Sequence, residues 1–472
     1  MKYYYLFVLG CQMNKSDAER MAGVLENLGY QKTADENQAN LIVAIACSVR
    51  QSAVDRIYGK INLWNKIKKE RPLTTILTGC VLPNDKEKLA GMFDLIFDIN
   101  ELPKLLKMLE DLQQLPKQMA SPRAKLHGYY LNIVPKYQSN FSAFVPISTG
   151  CNNYCSYCVV PYVRGQEKSR PAQEIIDECQ KLIKHGYKEI ILIGQNVNSY
   201  GLDQKDCTNY PSFPELLKTI AKLPGNFWLR FITSHPKDMS DELIEVVARD
   251  DKVSKYIHLP IQAGDNEILK KMNRNYTREY YLDLIKKIRK KIPNVAISTD
   301  VIIGFPSETK KQFKNTVKLF KKAQFDMAYI AQYSLRFGTA AYQMTDDVPK
   351  EEKIRREKIL TKVLKKTALK HNKKLIGKTM DVLVAEVKIE DKACLPARQG
   401  LKIHLIGKTK TFKTVKITTN EAVDSTVRVA DSPAVKDGVA NGPAVGLVGQ
   451  FIKVKITKAR SFGLEGIVIK SS

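Results

Sequence analysis

No stretch of this chain stays apolar for the length a bilayer span requires, so no part of it is expected to cross a membrane. The opening Met1-Lys2-Tyr3-Tyr4-Tyr5 runs straight into a strand pattern and lacks the apolar centre of a signal peptide, which sets the expectation of a cytoplasmic protein. Cysteine is sparse, nine in 472 residues. That is no disulfide framework, and in a reducing compartment such thiols serve metal or redox chemistry. A second C-x2-C pair, the usual mark of a structural zinc site, is missing. Acidic residues are also in short supply: 49 Asp and Glu face 76 Lys and Arg, a net charge of +27. That surplus favours a polyanionic partner, most simply nucleic acid; the alternative is lysine that merely solvates helices. The rest is ordinary, with 44% hydrophobic and 26% charged residues in a length that accommodates two to four globular domains.

The cysteines that are present fall into patterns. Cys151, Cys155 and Cys158 lie in one run, Ser148-Thr149-Gly150-Cys151-Asn152-Asn153-Tyr154-Cys155-Ser156-Tyr157-Cys158, spaced C-x3-C-x2-C. Three thiolates packed this tightly must converge on something soft, and iron–sulfur clusters are held at short spacings of this kind. Three protein ligands on a four-iron cluster leave one iron open to a small molecule, which suits catalysis better than electron storage. Zinc and a purely structural role are the competing readings. A second trio is dispersed. Short apolar runs at 3–10, 41–46 and 75–79 each end in a cysteine, Cys11, Cys47 and Cys80, at separations of 36 and 33 residues. Helical patterns at 17–28 and 53–69 lie between them. This β-α-β-α-β alternation predicts a parallel sheet with ligands beyond the carboxyl ends of its strands. All three cysteines fall on that edge, with Gly10 and Gly79 able to turn the backbone towards it. A second three-thiolate cluster is expected; buried structural cysteine is the plain alternative. Cys179 is a lone thiol inside a helical pattern.

Residues 116–140, with Gln118, Ser121 and Pro122, read as a linker. From 141 to 370 a strand–helix rhythm returns. Strands are predicted at 141–149, 189–194, 228–233, 256–262, 295–304 and 327–333, with helices such as 172–185, 241–248, 277–291 and 309–322 between them. Six such units predict a partial TIM-like (β/α)6 barrel with its active site at the carboxyl ends of the strands. Polar motifs fall there: Gly194-Gln195-Asn196, Thr233-Ser234-His235-Pro236, the 258–264 stretch that opens with His258, and Tyr333-Ser334-Leu335-Arg336. A histidine at a strand end is more often a hydrogen-bonded core residue than a catalyst, although the shared position of His235 and His258 at one barrel mouth strengthens the functional reading. The tract 159–171 carries Arg164, Lys168 and Arg170, suited to holding a carboxylate or phosphate, or else simply a solvated loop. Beyond 371 the pattern turns β-rich, at 380–387, 411–418, 450–457 and 466–470. Lys408, Lys410, Lys413, Lys416, Lys453, Lys455, Lys458 and Arg460 interleave these strands. A small antiparallel β-barrel with one basic face is a common nucleic-acid-binding device. Phe412 and Phe462 could stack bases, or fill the core. Segments 390–401 and 424–446 break the pattern and read as loop insertions, the second expected to be disordered.

The stretches Gly10-Cys11-Gln12-Met13-Asn14, Cys47-Ser48-Val49-Arg50, Gly79-Cys80, the run from Gly150 to Arg170 with an aromatic before its third cysteine, and Gly194-Gln195-Asn196-Val197-Asn198-Ser199-Tyr200 together resemble one family. It is the radical S-adenosylmethionine (SAM) methylthiotransferases, matched end to end, and within them the branch that acts on isopentenyladenosine in tRNA. Asn152 stands where that branch often has an acidic residue, and the C-terminal insertions depart from its pattern. The resemblance implies an α/β chain in three parts: a three-cysteine domain over 1–115, a radical SAM barrel over 141–370 and a TRAM-like RNA-binding barrel over 371–472. It implies two [4Fe–4S] clusters, one on Cys151, Cys155 and Cys158 and one on Cys11, Cys47 and Cys80. It also implies SAM contacts from Tyr157, Gly194, Gln195, Asn196 and Arg336.

In that chemistry the first cluster reduces SAM, and the resulting 5′-deoxyadenosyl radical abstracts hydrogen from C2 of N6-(dimethylallyl)adenosine next to the anticodon. The second cluster carries or donates the sulfur and another SAM the methyl group. The implied partners are the tRNA anticodon stem-loop and an electron donor such as flavodoxin or ferredoxin, for a monomeric enzyme. Three other readings compete: a methylthiotransferase for threonylcarbamoyl-adenosine in tRNA, the branch that modifies an aspartate of a ribosomal protein, and a non-enzymatic iron–sulfur RNA-binding protein. The charge favours RNA, and the duplicated trio favours an enzyme, since structural clusters normally take four protein ligands.

Overall fold

The computed structural model of the chain describes residues 1–48, 51–112, 129–204, 210–390, 402–418 and 445–469. Val49, Arg50, the 116–128 part of the expected linker and nearly all of both expected insertions lie outside the described residues.

The N-terminal part runs β1 (Lys2–Val8), α1 (Gln12–Asn27), β2 (Tyr30–Lys32), β3 (Leu41–Cys47), α2 (Gln51–Glu70), β4 (Thr74–Cys80), α3 (Pro83–Leu89), β5 (Leu95–Ile96) and α4 (Leu105–Asp111). Its sheet, in the order β2-β1-β3-β4-β5, is parallel throughout. β3 and β4 are buried at every position, as a parallel strand covered on both faces must be. One cover is α1 and α4, which pack Met21, Val24, Leu25, Leu105 and Leu109 against the sheet. The other is α2, whose Ile57, Ile61, Trp64 and Ile67 recur at helical spacing and meet Phe7 and Leu77.

The central part adds β6 (Ser142–Pro146), β7 (Ser148–Thr149), α5 (Val160–Arg164), β8 (Lys168–Ser169), α6 (Ala172–Lys184), β9 (Glu189–Ile193), α7 (Phe213–Ala221), β10 (Trp228–Phe231), α8 (Asp241–Arg249), β11 (Tyr256–His258), α9 (Asn266–Lys271), α10 (Arg278–Lys291), β12 (Ala296–Ile303), α11 (Lys310–Ala323), β13 (Met327–Gln332) and α12 (Lys350–Lys373). Two parallel sheets, β10-β9-β6 and β11-β12-β13, meet through the Leu229–Val253 bridge and curve into the expected six-stranded partial barrel. Alternation decides which side each residue serves. Ile297, Val301 and Ile303 of β12 enter the core under the helices, so Ser298 and Asp300 point to the lumen. Among the described residues no helix is long and apolar enough to cross a membrane.

The C-terminal part is β14 (Thr379–Glu390), β15 (Lys402–Thr409), β16 (Thr414–Thr418), β17 (Phe451–Arg460) and β18 (Gly463–Val468), closed as β14-β15-β16-β18-β17. The ladders are antiparallel except β16–β18, which closes the barrel in parallel. This barrel seats under the amino ends of the central strands. Phe412 packs on Tyr256 with ring centroids 5.0 Å apart, and Phe451 packs on Trp228 at 4.6 Å. Lys413 pairs with Asp326 at 2.6 Å. The cysteine loop lies at the opposite, carboxyl end.

Candidate active site

The 151–158 loop leaves β7 through Gly150 (φ +79°), where a Cβ would overlap the carbonyl of Gln166. Only glycine fits there, and Cys151 N–H then reaches Gly165 O at 3.2 Å. A distant segment, 271–276, clasps the loop. Ser156 bonds Met272 O through its N–H (3.1 Å) and Lys271 O through its hydroxyl (2.8 Å). Asn273 donates to Tyr154 O at 2.9 Å. Arg274, buried, donates to Tyr276 hydroxyl (2.7 Å), Pro260 O (2.8 Å) and Cys155 Sγ (3.4 Å). Asn153 donates to Cys151 Sγ at 3.3 Å. Burial pushes the Cys158 thiol up to about 12 and raises Cys151 as well. It also raises the Tyr157 phenol, opposed by Arg274.

Next to this loop, at the carboxyl ends of β9 and β10, Gln195 Oε1, Asn196 Oδ1 and Ser234 Oγ are buried without a hydrogen-bond partner, as is Ser148 Oγ. Buried polar atoms of this kind are met by an ordered water or by a polar ligand. The ammonium and ribose hydroxyls of SAM fit them. Gly194 keeps the approach narrow, since a Cβ there would stand 2.7 Å from Ser148 Oγ. His235 lies beside this region with its ring edge on Tyr276 at 5.6 Å. Burial, then Arg274 and Lys237, hold it down at about 2, so it stays neutral. His258 reaches Ser298 Oγ through Nδ1 (2.8 Å) and Asp300 through Nε2 (3.4 Å) in the lumen.

The dispersed trio also assembles on one edge. Cys47 and Cys80 are register partners at the ends of β3 and β4, and Gly10 turns the chain so closely that its missing Cβ would stand 2.8 Å from Cys47 Cβ. Asn14 ties the edge together by donating to Leu9 O and Ala46 O, both at 2.7 Å. Cys11 is exposed at the amino end of α1, where the helix dipole favours negative charge. Burial pushes the Cys80 thiol up to about 12, against the pull of Arg164. Among the described residues no group of His, Cys, Asp and Glu closes on a single-ion site. A cubane spreads its thiolates over separate irons and needs no such closure.

The two arginines of the 159–171 tract are engaged internally rather than free for a substrate anion, whereas Lys168 is exposed. Arg164 is ion-paired with Asp17 at 2.5 Å and Arg170 with Glu178 at 2.8 Å, both buried, and Lys168 lies over the Tyr129 ring. Arg336 follows β13, half-buried; burial lowers its pKa, and Asp85, Cys47 and Asp55 of the N-terminal part oppose the shift. Cys179 sits in the apolar core of the central barrel. Sequence reasoning missed Arg274 and Asp17. Both lie in polar turns or helix faces whose partners are more than a hundred residues away, so no local spacing marks them.

The Radical SAM superfamily model matches residues 145–320, and the model described as Uncharacterized protein family UPF0004 matches residues 3–98. A tRNA-2-methylthio-N(6)-dimethylallyladenosine synthase from Carboxydothermus hydrogenoformans is 39% identical over 474 residues, 99% of each chain. One from Clostridium tetani is 39% identical over 469 residues, 98% of this chain and 95% of its own. The chain belongs to this radical SAM methylthiotransferase family. Membership brings SAM and a [4Fe–4S] cluster to the barrel. Among solved structures, the radical SAM methyltransferase TsrM from Kitasatospora setae, with cobalamin and a [4Fe–4S] cluster bound, aligns with TM-score 0.53 and 12% identity over 72% of this chain and 74% of its own. That likeness is one of fold.

Proposed function

We propose that this chain methylthiolates C2 of N6-dimethylallyladenosine beside the anticodon of tRNA, using two [4Fe–4S] clusters. The observation that supports the reading is that Cys80 of the Cys11/Cys47/Cys80 trio packs with Val159 and Val163, which follow directly on the Cys151/Cys155/Cys158 loop. SAM and its cluster supply radical and methyl chemistry, and the second cluster the sulfur. The protein's own part is positional. Arg274 and Asn153 donate to the sulfurs of Cys155 and Cys151, offsetting the charge of a bound cluster. Gln195 and Asn196 offer acceptors to SAM, Tyr157 packs against the barrel core, and Arg336 lies on the side of the N-terminal trio. On the C-terminal barrel the RNA-facing surface is Lys455 and Lys458 with Phe462 and Ile467, all exposed. A tRNA substrate places the work in the cytoplasm.

The test replaces Cys11, Cys47 and Cys80 together by Ala. The variant is expected to cleave SAM to 5′-deoxyadenosine yet form no methylthio product, read by mass spectrometry of tRNA nucleosides. Loss of SAM cleavage in folded protein would contradict the division of roles. Product on threonylcarbamoyl-adenosine instead of dimethylallyladenosine would reassign the substrate.

A further inference from the structure

α5 begins two residues after Cys158 and ends at Arg164, whose side chain is 1% exposed. Every polar partner of this side chain lies in the N-terminal part or in the segment packed on it. Nε donates to Cys80 Sγ at 2.9 Å. Nη2 donates to Asn14 Oδ1 at 2.8 Å and Asp17 Oδ2 at 2.5 Å, and Nη1 to the Tyr130 hydroxyl at 3.3 Å. Val159 and Val163 flank it in a small apolar cluster with Cys80 and Leu82. A five-residue helix therefore has the central trio at one end and a thiol of the dispersed trio at the other.

A guanidinium keeps its charge in any environment, so Asp17 is the counterion that makes this burial tolerable. The fork is filled by acceptors of one neighbouring unit, which fixes the direction in which α5 points. A hydrogen bond to a ligand sulfur, and a positive charge beside it, favour the reduced and more negative state of an iron–sulfur cluster. A buried carboxylate favours the oxidised state. The pair thus places two opposed charges beside Cys80, with only the cation bonded to the sulfur.

We propose that Arg164 is a positioning residue that holds the N-terminal iron–sulfur cluster against the central site and, through Cys80, raises its reduction potential. The proposal rests on Cys11, Cys47 and Cys80 holding a cluster. It makes α5 the element that carries the state of one site to the other.

The experiment uses full-length protein carrying Cys151→Ala, Cys155→Ala and Cys158→Ala, so that only the N-terminal cluster remains. Iron content and the midpoint potential are read together, the latter by redox titration followed by electron paramagnetic resonance. The parent is expected to keep about four irons. Arg164→Gln should lower the midpoint, Arg164→Lys should restore part of the loss, and Asp17→Asn should raise it. Loosened packing would move Arg164→Gln and Asp17→Asn in the same direction. A shift of the same sign, or no shift in either, overturns the proposal. If Arg164→Gln fails to load iron, the order of Asp17→Asn above the parent above Arg164→Lys decides alone. A parent without iron overturns the reading of a second cluster, and the proposal with it.

Discussion

Replacing Arg230 by Met should undock the C-terminal barrel from the floor of the central one. Arg230 is buried, and its Nε pairs with Glu189 at 2.5 Å. Nη1 donates to Ser254 Oγ (2.6 Å) and Lys410 O (2.8 Å), and Nη2 donates to Thr409 O (2.9 Å). The guanidinium also stacks between Phe412 at 4.9 Å and Trp228 at 5.1 Å. Methionine fills the volume but leaves Glu189 charged and short of its partner, and removes the guanidinium donors to Thr409 O and Lys410 O, which keep only Phe412 N–H and Ser254 Oγ. Removing one member of a buried pair costs about 3–5 kcal/mol, and lost stacking on Phe412 adds about 1 kcal/mol that is partly the same energy. A net cost of about 4 kcal/mol falls on docking because the unpaired Glu189 carboxylate is desolvated beneath the seated barrel and regains water when the barrel leaves. At about 1.4 kcal/mol per tenfold, the undocked population should rise about 700-fold. Cleavage at the 374–378 junction by dilute protease in native buffer follows that population while opening is faster than cleavage. The double variant Arg230→Met, Glu189→Gln should recover most of the loss, since no buried charge is then left alone. An acceleration under tenfold, or no recovery in the double variant, would refute the reasoning.

Two further outcomes follow from charge placement. His235 is held at about 2 against an ordinary 6.5, so the unfolded chain takes the proton first and stability falls as pH drops below about 6.5; His235→Asn should lose less thermal midpoint than the parent between pH 6.5 and 4.5, and equal losses would contradict a buried neutral imidazole. Lys455→Glu with Lys458→Glu should weaken tRNA binding and flatten its salt dependence by roughly 0.7–0.9 per lost phosphate contact, whereas Lys413→Met, which breaks the pair with Asp326, should lower stability and leave the slope unchanged. Equal slopes in both variants would move the RNA surface elsewhere.

The parts of the fold that were legible carry their signal locally. Leu41–Cys47 and Thr74–Cys80 are apolar runs that end in cysteine, and both became fully buried parallel strands. The six barrel strands appeared where the strand–helix rhythm predicted them, with the polar motifs at their carboxyl ends. β15 was not foreseen, because Lys402–Thr409 follows a segment without periodicity. The parallel closure of β16 on β18 could not be foreseen either, since alternation reports a face and not a direction. The basic row of the C-terminal barrel reads as one patch in sequence and divides in space. Burial lowers Lys408 and Lys410, Lys413 is paired beneath the central barrel, and Lys455 and Lys458 remain exposed. The two phenylalanines divide the same way, Phe412 into the joint and Phe462 to solvent at 44% exposure. Such choices depend on what another segment presents, and no local spacing encodes them.

The charge surplus takes on a different meaning once its members are placed. Each joint between parts of this chain holds a buried arginine. Arg20 of α1 lies 3.6 Å from Glu178 of α6, Arg164 of α5 pairs with Asp17 of α1, and Arg230 of β10 donates to the carbonyls at the end of β15. Arginine suits this work because its planar fork stays charged and meets a carboxylate and a carbonyl or sulfur at once. Lysine remains for much of the surface, where it acts as a hydrated point charge on any phosphate within reach. Attraction of that kind speeds encounter and weakens with salt, but it does not tell one nucleoside from another. On the lumen wall His258 is held by the fully buried Ser298 and by Asp300, with Tyr329 half-exposed against it at 6.0 Å. The arginine joints fix where the two cysteine edges stand, and the exposed lysines are left to the surface.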